Sequence, residues 1–208
     1  MRNHIVIRSD NIVTCSERAE DRQVLDGYIL VSDGRIMGTG EGEVPEAMAG
    51  GDTVYIDAIG KTVTPGLVDA HTHLVHCGSR EHELSMKLKG IPYLDILKAG
   101  GGILSTVRQT REATLDELKR KARRSLDRML LHGTTTVEAK SGYGLDFDTE
   151  IRCLTAAAEL DREHPVDIVR TYMGAHAVPP EYREDPSGYI DFMIQKVMPY
   201  VAENRLAE

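Results

Sequence analysis

From Leu67 onward, apolar strand-like segments alternate with amphipathic helices, and this alternation constrains the fold more than any other feature of the 208-residue sequence. It is the pattern of βα units laid around a parallel sheet. The clearest helix runs from Leu115 to Leu131, where Leu115, Leu118, Ala122, Leu126 and Met129 recur near helical spacing. Thr114 with Glu117 forms a capping box before it, and Gly133 stands where a C′ residue belongs. Thr134 to Glu138 follows as a strand. Asp148 to Leu160 reads as a helix with Ile151, Leu154 and Ala158 on one face, and Val166 to Tyr172 as a third strand. From Ser187 the pattern is helical again, with Pro199 ending one helix or opening the next at its first turn. A closed barrel of this type needs eight strands and about 250 residues, so this count of strands is that of a partial TIM-type (β/α) barrel.

The residues before Pro65-Gly66 have a different character. Ile5 to Ile7, Tyr28 to Val31 and Val54 to Ile56 are short apolar runs bounded by turn residues, and Ser32-Asp33-Gly34-Arg35 contains the Asp-Gly pair that favours a tight hairpin. The expected organisation is a β-strand segment over residues 1–62 and the first βα units of a barrel over residues 63–208, an α/β class overall. Internal repeats and low-complexity tracts are absent from the sequence.

Composition narrows the function classes. Acids outnumber Lys plus Arg by 33 to 25, and no basic cluster is interleaved with aromatics, which argues against a nucleic-acid partner. Cys15, Cys77 and Cys153 are odd in number and widely spaced, a pattern that suggests neither a disulfide framework nor a zinc ribbon and fits a reducing cytoplasm. Arg8 and Asp10 interrupt the first apolar stretch too early for a secretory signal, and no run approaches the ~18 apolar residues of a membrane span. The expectation is a soluble cytoplasmic protein with no membrane partner.

The chemistry concentrates in Thr64-Pro65-Gly66-Leu67-Val68-Asp69-Ala70-His71-Thr72-His73. On a regular strand Leu67, Asp69, His71 and His73 would share one face, and two imidazoles two residues apart can reach a single ion. Neutral imidazole suits zinc or iron. A His-x-His alone is weak, since roughly 0.3 would arise by chance in a chain of this histidine content. The Pro-Gly-apolar-apolar-Asp lead-in makes it specific, and with it the segment resembles the first metal-binding strand of the amidohydrolase superfamily.

Three further blocks, with the stretch after His73, sharpen the resemblance: His76-Cys77-Gly78-Ser79-Arg80, Gly100-Gly101-Gly102-Ile103, Glu138-Ala139-Lys140-Ser141-Gly142-Tyr143-Gly144, and Gly174-Ala175-His176-Ala177-Val178-Pro179-Pro180. Together, and in this order, they resemble the imidazolonepropionase family over essentially the whole chain. The resemblance implies a (β/α) barrel preceded by a small β-sandwich segment that forms part of a composite domain. It implies hydrolysis of the cyclic amide of 4-imidazolone-5-propanoate to N-formimidoyl-L-glutamate, in histidine degradation, by a water activated on one zinc or iron ion. His71 and His73 would be metal ligands. Arg80, Tyr143 and His176 would bind the small-molecule substrate, with Arg80 suited to a two-pronged grip on its carboxylate. Superfamily relatives often form homodimers.

No catalytic residue is assigned within this sequence, because the family's general acid/base glutamate and remaining ligands lie on later strands. Lys140 is expected to be an electrostatic strut, Gly100-Gly101-Gly102 a mobile active-site loop, and His76, His82, His132 and His164 surface histidines. Two alternatives stay open: another amidohydrolase acting on a cyclic amide or amidine, and a non-catalytic half-barrel.

Overall fold

A computed structural model describes residues 4–16, 24–45, 53–98 and 100–208. Residues 1–3, and parts of the β segment expected over residues 1–62, lie outside the described residues. The chain divides into two compact units, Met1–Pro65 and Gly66–Glu208.

The first unit is one mixed sheet. β1 (His4–Val13) pairs antiparallel with β2 (Val24–Ser32) and parallel with β4 (Thr53–Asp57) and β5 (Thr62–Val63), while β3 (Arg35–Glu41) pairs antiparallel with β2. The β2–β3 hairpin closes on Asp33 and Gly34, both in the left-handed region at φ 50° and 76°. Two positive φ values between paired strands make a type I′ turn, whose twist matches that of the strands, and Asp-Gly is the sequence that tolerates it. Ile12, Leu25 and Ile29 form the apolar cluster of this unit. Among the described residues this unit is a single five-stranded sheet.

The second unit is built on a parallel sheet in the order β6 (Leu67–Thr72), β7 (Thr134–Lys140), β8 (Asp167–Thr171). α4 (Leu115–Leu131) and α5 (Phe147–Glu163) cover it, and Leu118, Ala122 and Leu126 meet Cys153, Ala156, Ala157 and Leu160 over Val137, Ala139 and Ile168. Burial pushes the pKa of the Cys153 thiol up. α4 begins with the expected capping box between Thr114 and Glu117, and Gly133 follows its end at φ 90°. Lys119 ties α4 to α5 through Glu159 at 2.6 Å and Glu163 at 2.8 Å. At the far end α6 (Pro186–Phe192) runs through a π-turn at Met193–Val197 into α7 (Met198–Glu203), with Pro199 in the first turn of α7.

Two features of this unit do not show in the sequence pattern. α1 (Glu81–Leu88), α2 (Tyr93–Lys98) and α3 (Ile103–Glu112) stand between β6 and α4. The glycine run lies between α2 and α3, and each of its three residues takes part in a hydrogen bond. The Gly102 amide donates to the buried Glu83 carboxylate at 2.6 Å, Arg108 donates to the Gly100 carbonyl at 2.8 Å, and the Gly101 amide donates to the Ile96 carbonyl at 3.0 Å. The strict alternation expected along β6 also stops short. Between the pairs Asp69–Val137 and Thr72–Ala139 three steps on β6 oppose two on β7, so the strand bulges between Asp69 and Thr72, the stretch that holds His71. No helix among the described residues is long and apolar enough to cross a membrane.

Candidate functional site

Because β6, β7 and β8 are parallel, their carboxyl ends emerge side by side, and the residues that follow each strand meet there. β6 delivers His71 and His73, whose ring centroids are 6.1 Å apart. β7 runs into Ser141-Gly142-Tyr143, and the Tyr143 ring lies 4.8 Å from that of His73. The segment after β8 brings His176 to 4.4 Å from His73 and 5.3 Å from Tyr143. Four of the five residues singled out from sequence therefore sit in one ring cluster.

Arg80, the fifth, stands apart from those rings at the N-cap of α1, its side chain exposed. Its charge reaches the cluster through His76. That ring lies 5.5 Å from Tyr143 and its pKa is lowered by burial first, then by Lys121, with Arg80 contributing. His76 is therefore no surface histidine: its Nδ1 is 3.0 Å from the Lys121 ammonium, which also donates to the Gly78 carbonyl. His164 is likewise engaged, with Asp127 at 3.2 Å and the Val166 amide at 3.1 Å. His82 and His132 are exposed.

Electrostatics disfavour the cations of His73 and His176. Burial, then the proximity of His176, lowers the His73 pKa from 6.5 to about 4, and His176 is lowered by burial as well. His73 Nδ1 is buried without a hydrogen-bond partner. A neutral imidazole with an unpartnered nitrogen is the state a metal ligand requires, and His71 beside it brings a second imidazole. Among the described residues no group of three His, Cys, Asp or Glu side chains is placed to hold an ion, so the donors fit part of a metal shell.

Around the rings a polar frame is closed. Lys140 pairs with Glu138, which also accepts from Thr171 Oγ1 at 2.7 Å, and these two hydrogen bonds hold the Glu138 carboxyl below the usual range. Thr72 Oγ1 donates to the Glu138 carbonyl at 2.6 Å, tying β6 to β7 beside His71. Beyond His176 an open cavity of about 460 Å³ is lined by Tyr93, Leu94, Gly101, Leu104, Arg108 and Val178, within the size range of small-molecule sites. Sequence reasoning missed His76, Lys121 and Glu150; the last is a carboxylate 1% exposed that accepts backbone amides from the Tyr143 loop. Its position in the first turn of α5 reads in sequence as a helix-dipole charge, and nothing in periodicity marks it as inward.

No family model matches the chain. Among curated proteins it is 56% identical over 202 residues to the imidazolonepropionase of Treponema denticola, covering 96% of this chain and 49% of that protein. It is 55% identical over 186 residues to that of Alkaliphilus oremlandii, covering 89% and 44%, and 55% identical over 193 residues to that of Streptococcus sanguinis, covering 92% and 46%. Among solved structures, guanine deaminase of E. coli superposes with a TM-score of 0.51 at 14% identity, over 94% of this chain and 42% of that one. A variant of atrazine chlorohydrolase from Arthrobacter aurescens, complexed with zinc and atraton, also gives 0.51, at 20% identity over 80% and 35%. These two likenesses speak to fold. The chain spans about half the length of the curated relatives it matches, and over nearly all of its own length it is a homologue of the imidazolonepropionases.

Proposed function

We propose that this chain carries the first metal ligands and much of the substrate-facing rim of an imidazolonepropionase, within a (β/α) barrel and composite β-sandwich domain completed in a polypeptide of its relatives' length. The proposed reaction opens the cyclic amide of 4-imidazolone-5-propanoate to N-formimidoyl-L-glutamate, a hydrolysis in cytoplasmic histidine breakdown. The observation that carries this reading is the convergence of His71, His73, Tyr143 and His176 after three parallel strands, in a chain 56% identical to an imidazolonepropionase.

His71 and His73 would hold the ion, zinc or iron, and the neutral, unpartnered His73 Nδ1 supports that role. Bound there, the ion would supply Lewis acidity toward the ring carbonyl and its hydrolytic water. Tyr143, a phenol on a glycine-flanked loop, would donate a hydrogen bond to the substrate, and His176, its ring beside that of His73, would line the same substrate. Arg80, exposed at the rim, would take the propanoate carboxylate through a two-pronged contact. Residues for proton transfer and the remaining ligands are proposed to come from later strands.

The test is direct. A purified polypeptide of the relatives' length, beginning with this sequence and supplied with zinc or iron, is expected to open the imidazolone ring. Absence of ring opening with either metal would sink the reading. Turnover of hydantoin-like or purine rings in its place would move the protein to another branch of the superfamily.

A further inference from the structure

Glu150 has no place in the proposed chemistry, yet it is the most completely enclosed acid among the described residues, 1% exposed and without an ion-pair partner there. Enclosing a carboxylate costs several kcal/mol unless hydrogen bonds replace its water. Here the replacements are all backbone amides of one loop: Gly142 donates to both carboxylate oxygens at 3.0 and 3.2 Å, Gly144 to one at 2.7 Å and Leu145 to the same one at 2.9 Å. Capping α5 does not require this, because Asp146 already accepts from the Thr149 amide at 2.7 Å. The loop itself needs holding. Gly142 sits at φ 108° and Leu145, unusually for a side-chain-bearing residue, at φ 56°.

We propose that Glu150 is a positioning residue, whose buried carboxylate gathers the amides of residues 142–145 and thereby sets Tyr143 and His176 against His73. Two contacts connect the carboxylate to those rings. Tyr143 lies between amides that Glu150 holds, so its backbone is fixed where its ring stands 4.8 Å from that of His73 and 5.3 Å from that of His176. Gly142 approaches His176 so closely that a Cβ added to it would stand 2.7 Å from the His176 Cβ and 2.6 Å from the Met173 carbonyl oxygen. Arg111 completes the frame from α3, donating to the Gly144 carbonyl at 2.7 Å while pairing with Asp146 at 2.8 Å and Glu181 at 2.7 Å, so the loops bearing Tyr143 and His176 share one strut. The consequence for catalysis rests on the reading of Tyr143 and His176 as substrate contacts; the clamp does not.

The experiment therefore has a part without substrate. In the unaltered chain, amide hydrogen exchange followed by NMR is expected to show the Gly142, Gly144 and Leu145 amides protected like those of β7, and exchange at free-loop rates overturns the proposal. Because all three amides reach one carboxylate oxygen, which a glutamine could still offer, the test uses Glu150→Leu, which keeps the bulk and removes both acceptors. In a variant whose β7 and α4 amides stay protected, the three loop amides are expected to lose protection and the nuclear Overhauser contacts between Tyr143 and the rings of His73 and His176 to vanish. Retention of those contacts overturns the proposal. Glu150→Asp, which keeps the charge and withdraws it by one methylene, is expected to give the same pattern, and failure of both variants to fold assigns Glu150 to stability alone and also overturns it. In the full-length enzyme Glu150→Leu is expected to lower kcat/KM roughly 10- to 100-fold, the loss a small misplacement of binding groups produces. Lost ring contacts with unchanged kcat/KM would instead refute the roles given to Tyr143 and His176, leaving the clamp standing.

Discussion

Each residue in the site is defined by what surrounds it. His73 is neutral because burial and its neighbour His176 both disfavour the cation, with a pKa of about 4 in place of 6.5. In the metal-free protein the unfolded chain therefore binds a proton between those values that the folded chain refuses. Stability must fall as pH drops from about 6.5 to about 4, and the burial-lowered His76 and His176 act in the same direction. Urea midpoints measured from pH 7 to pH 5 should decline more steeply in the unaltered chain than in His73→Asn; parallel curves would remove His73 as the cause. Arg80 yields a different expectation. If its guanidinium holds the substrate carboxylate, Arg80→Ala forfeits a charge-assisted hydrogen bond, and in the full-length enzyme KM should rise roughly 10- to 100-fold with kcat little changed. An unchanged KM takes Arg80 out of the site. These residues were legible because the Pro-Gly-Leu-Val-Asp lead-in and the Ser-Gly-Tyr-Gly and Gly-Ala-His blocks are local in sequence. His76, Lys121 and Glu150 were not, since each becomes significant only through partners that folding brings from other elements, such as Lys121 reaching His76 from α4.

Among the elements, α4 was the most legible and α1 to α3 the least, and burial explains the contrast. α4 buries Leu118, Ala122 and Leu126, an apolar stripe at helical spacing, between a capping box and a glycine. α3 buries Ser105, Thr106 and Thr110 beside a single Val107, so the inward face is mostly hydroxyl and hydrophobic periodicity is blind to it. α1 buries only Glu83 while Leu84 and Leu88 face outward. Thr110 is inward because its Oγ1 accepts the Cys77 amide at 3.0 Å, fixing the loop that leaves β6. The strand β6 was recognised, but its bulge depends on register with β7 and leaves no mark in its own sequence. The capping box carries a prediction of its own: Thr114→Ala removes the acceptor for the Glu117 amide and should cost about 1 kcal/mol in urea denaturation. A variant as stable as the parent would show that α4 is held by packing alone.

At the scale of the whole molecule, the parallel sheet among the described residues has two unpaired edges, β6 and β8. Leu67 and Val68 on β6 are 56% and 67% exposed, an apolar edge of the sort that invites pairing with another chain. Sedimentation velocity should find this chain self-associating as concentration rises, with Val68→Lys shifting it toward monomer. A chain that stays monomeric at high concentration would refute this. The face away from that edge behaves in the opposite way, and Cys153 is the residue that reports it. Locked between α5 and the strands with its thiolate suppressed, it can meet an alkylating reagent only when α4, α5 and the sheet part together, whereas Cys15 is exposed and Cys77 half-buried. Three thiols in three environments make the protein its own clock. Mass spectrometry of timed alkylation should count Cys15 first, Cys77 next and Cys153 last, and with enough reagent for alkylation to outpace reclosing the rate of that final step is the rate at which the core opens.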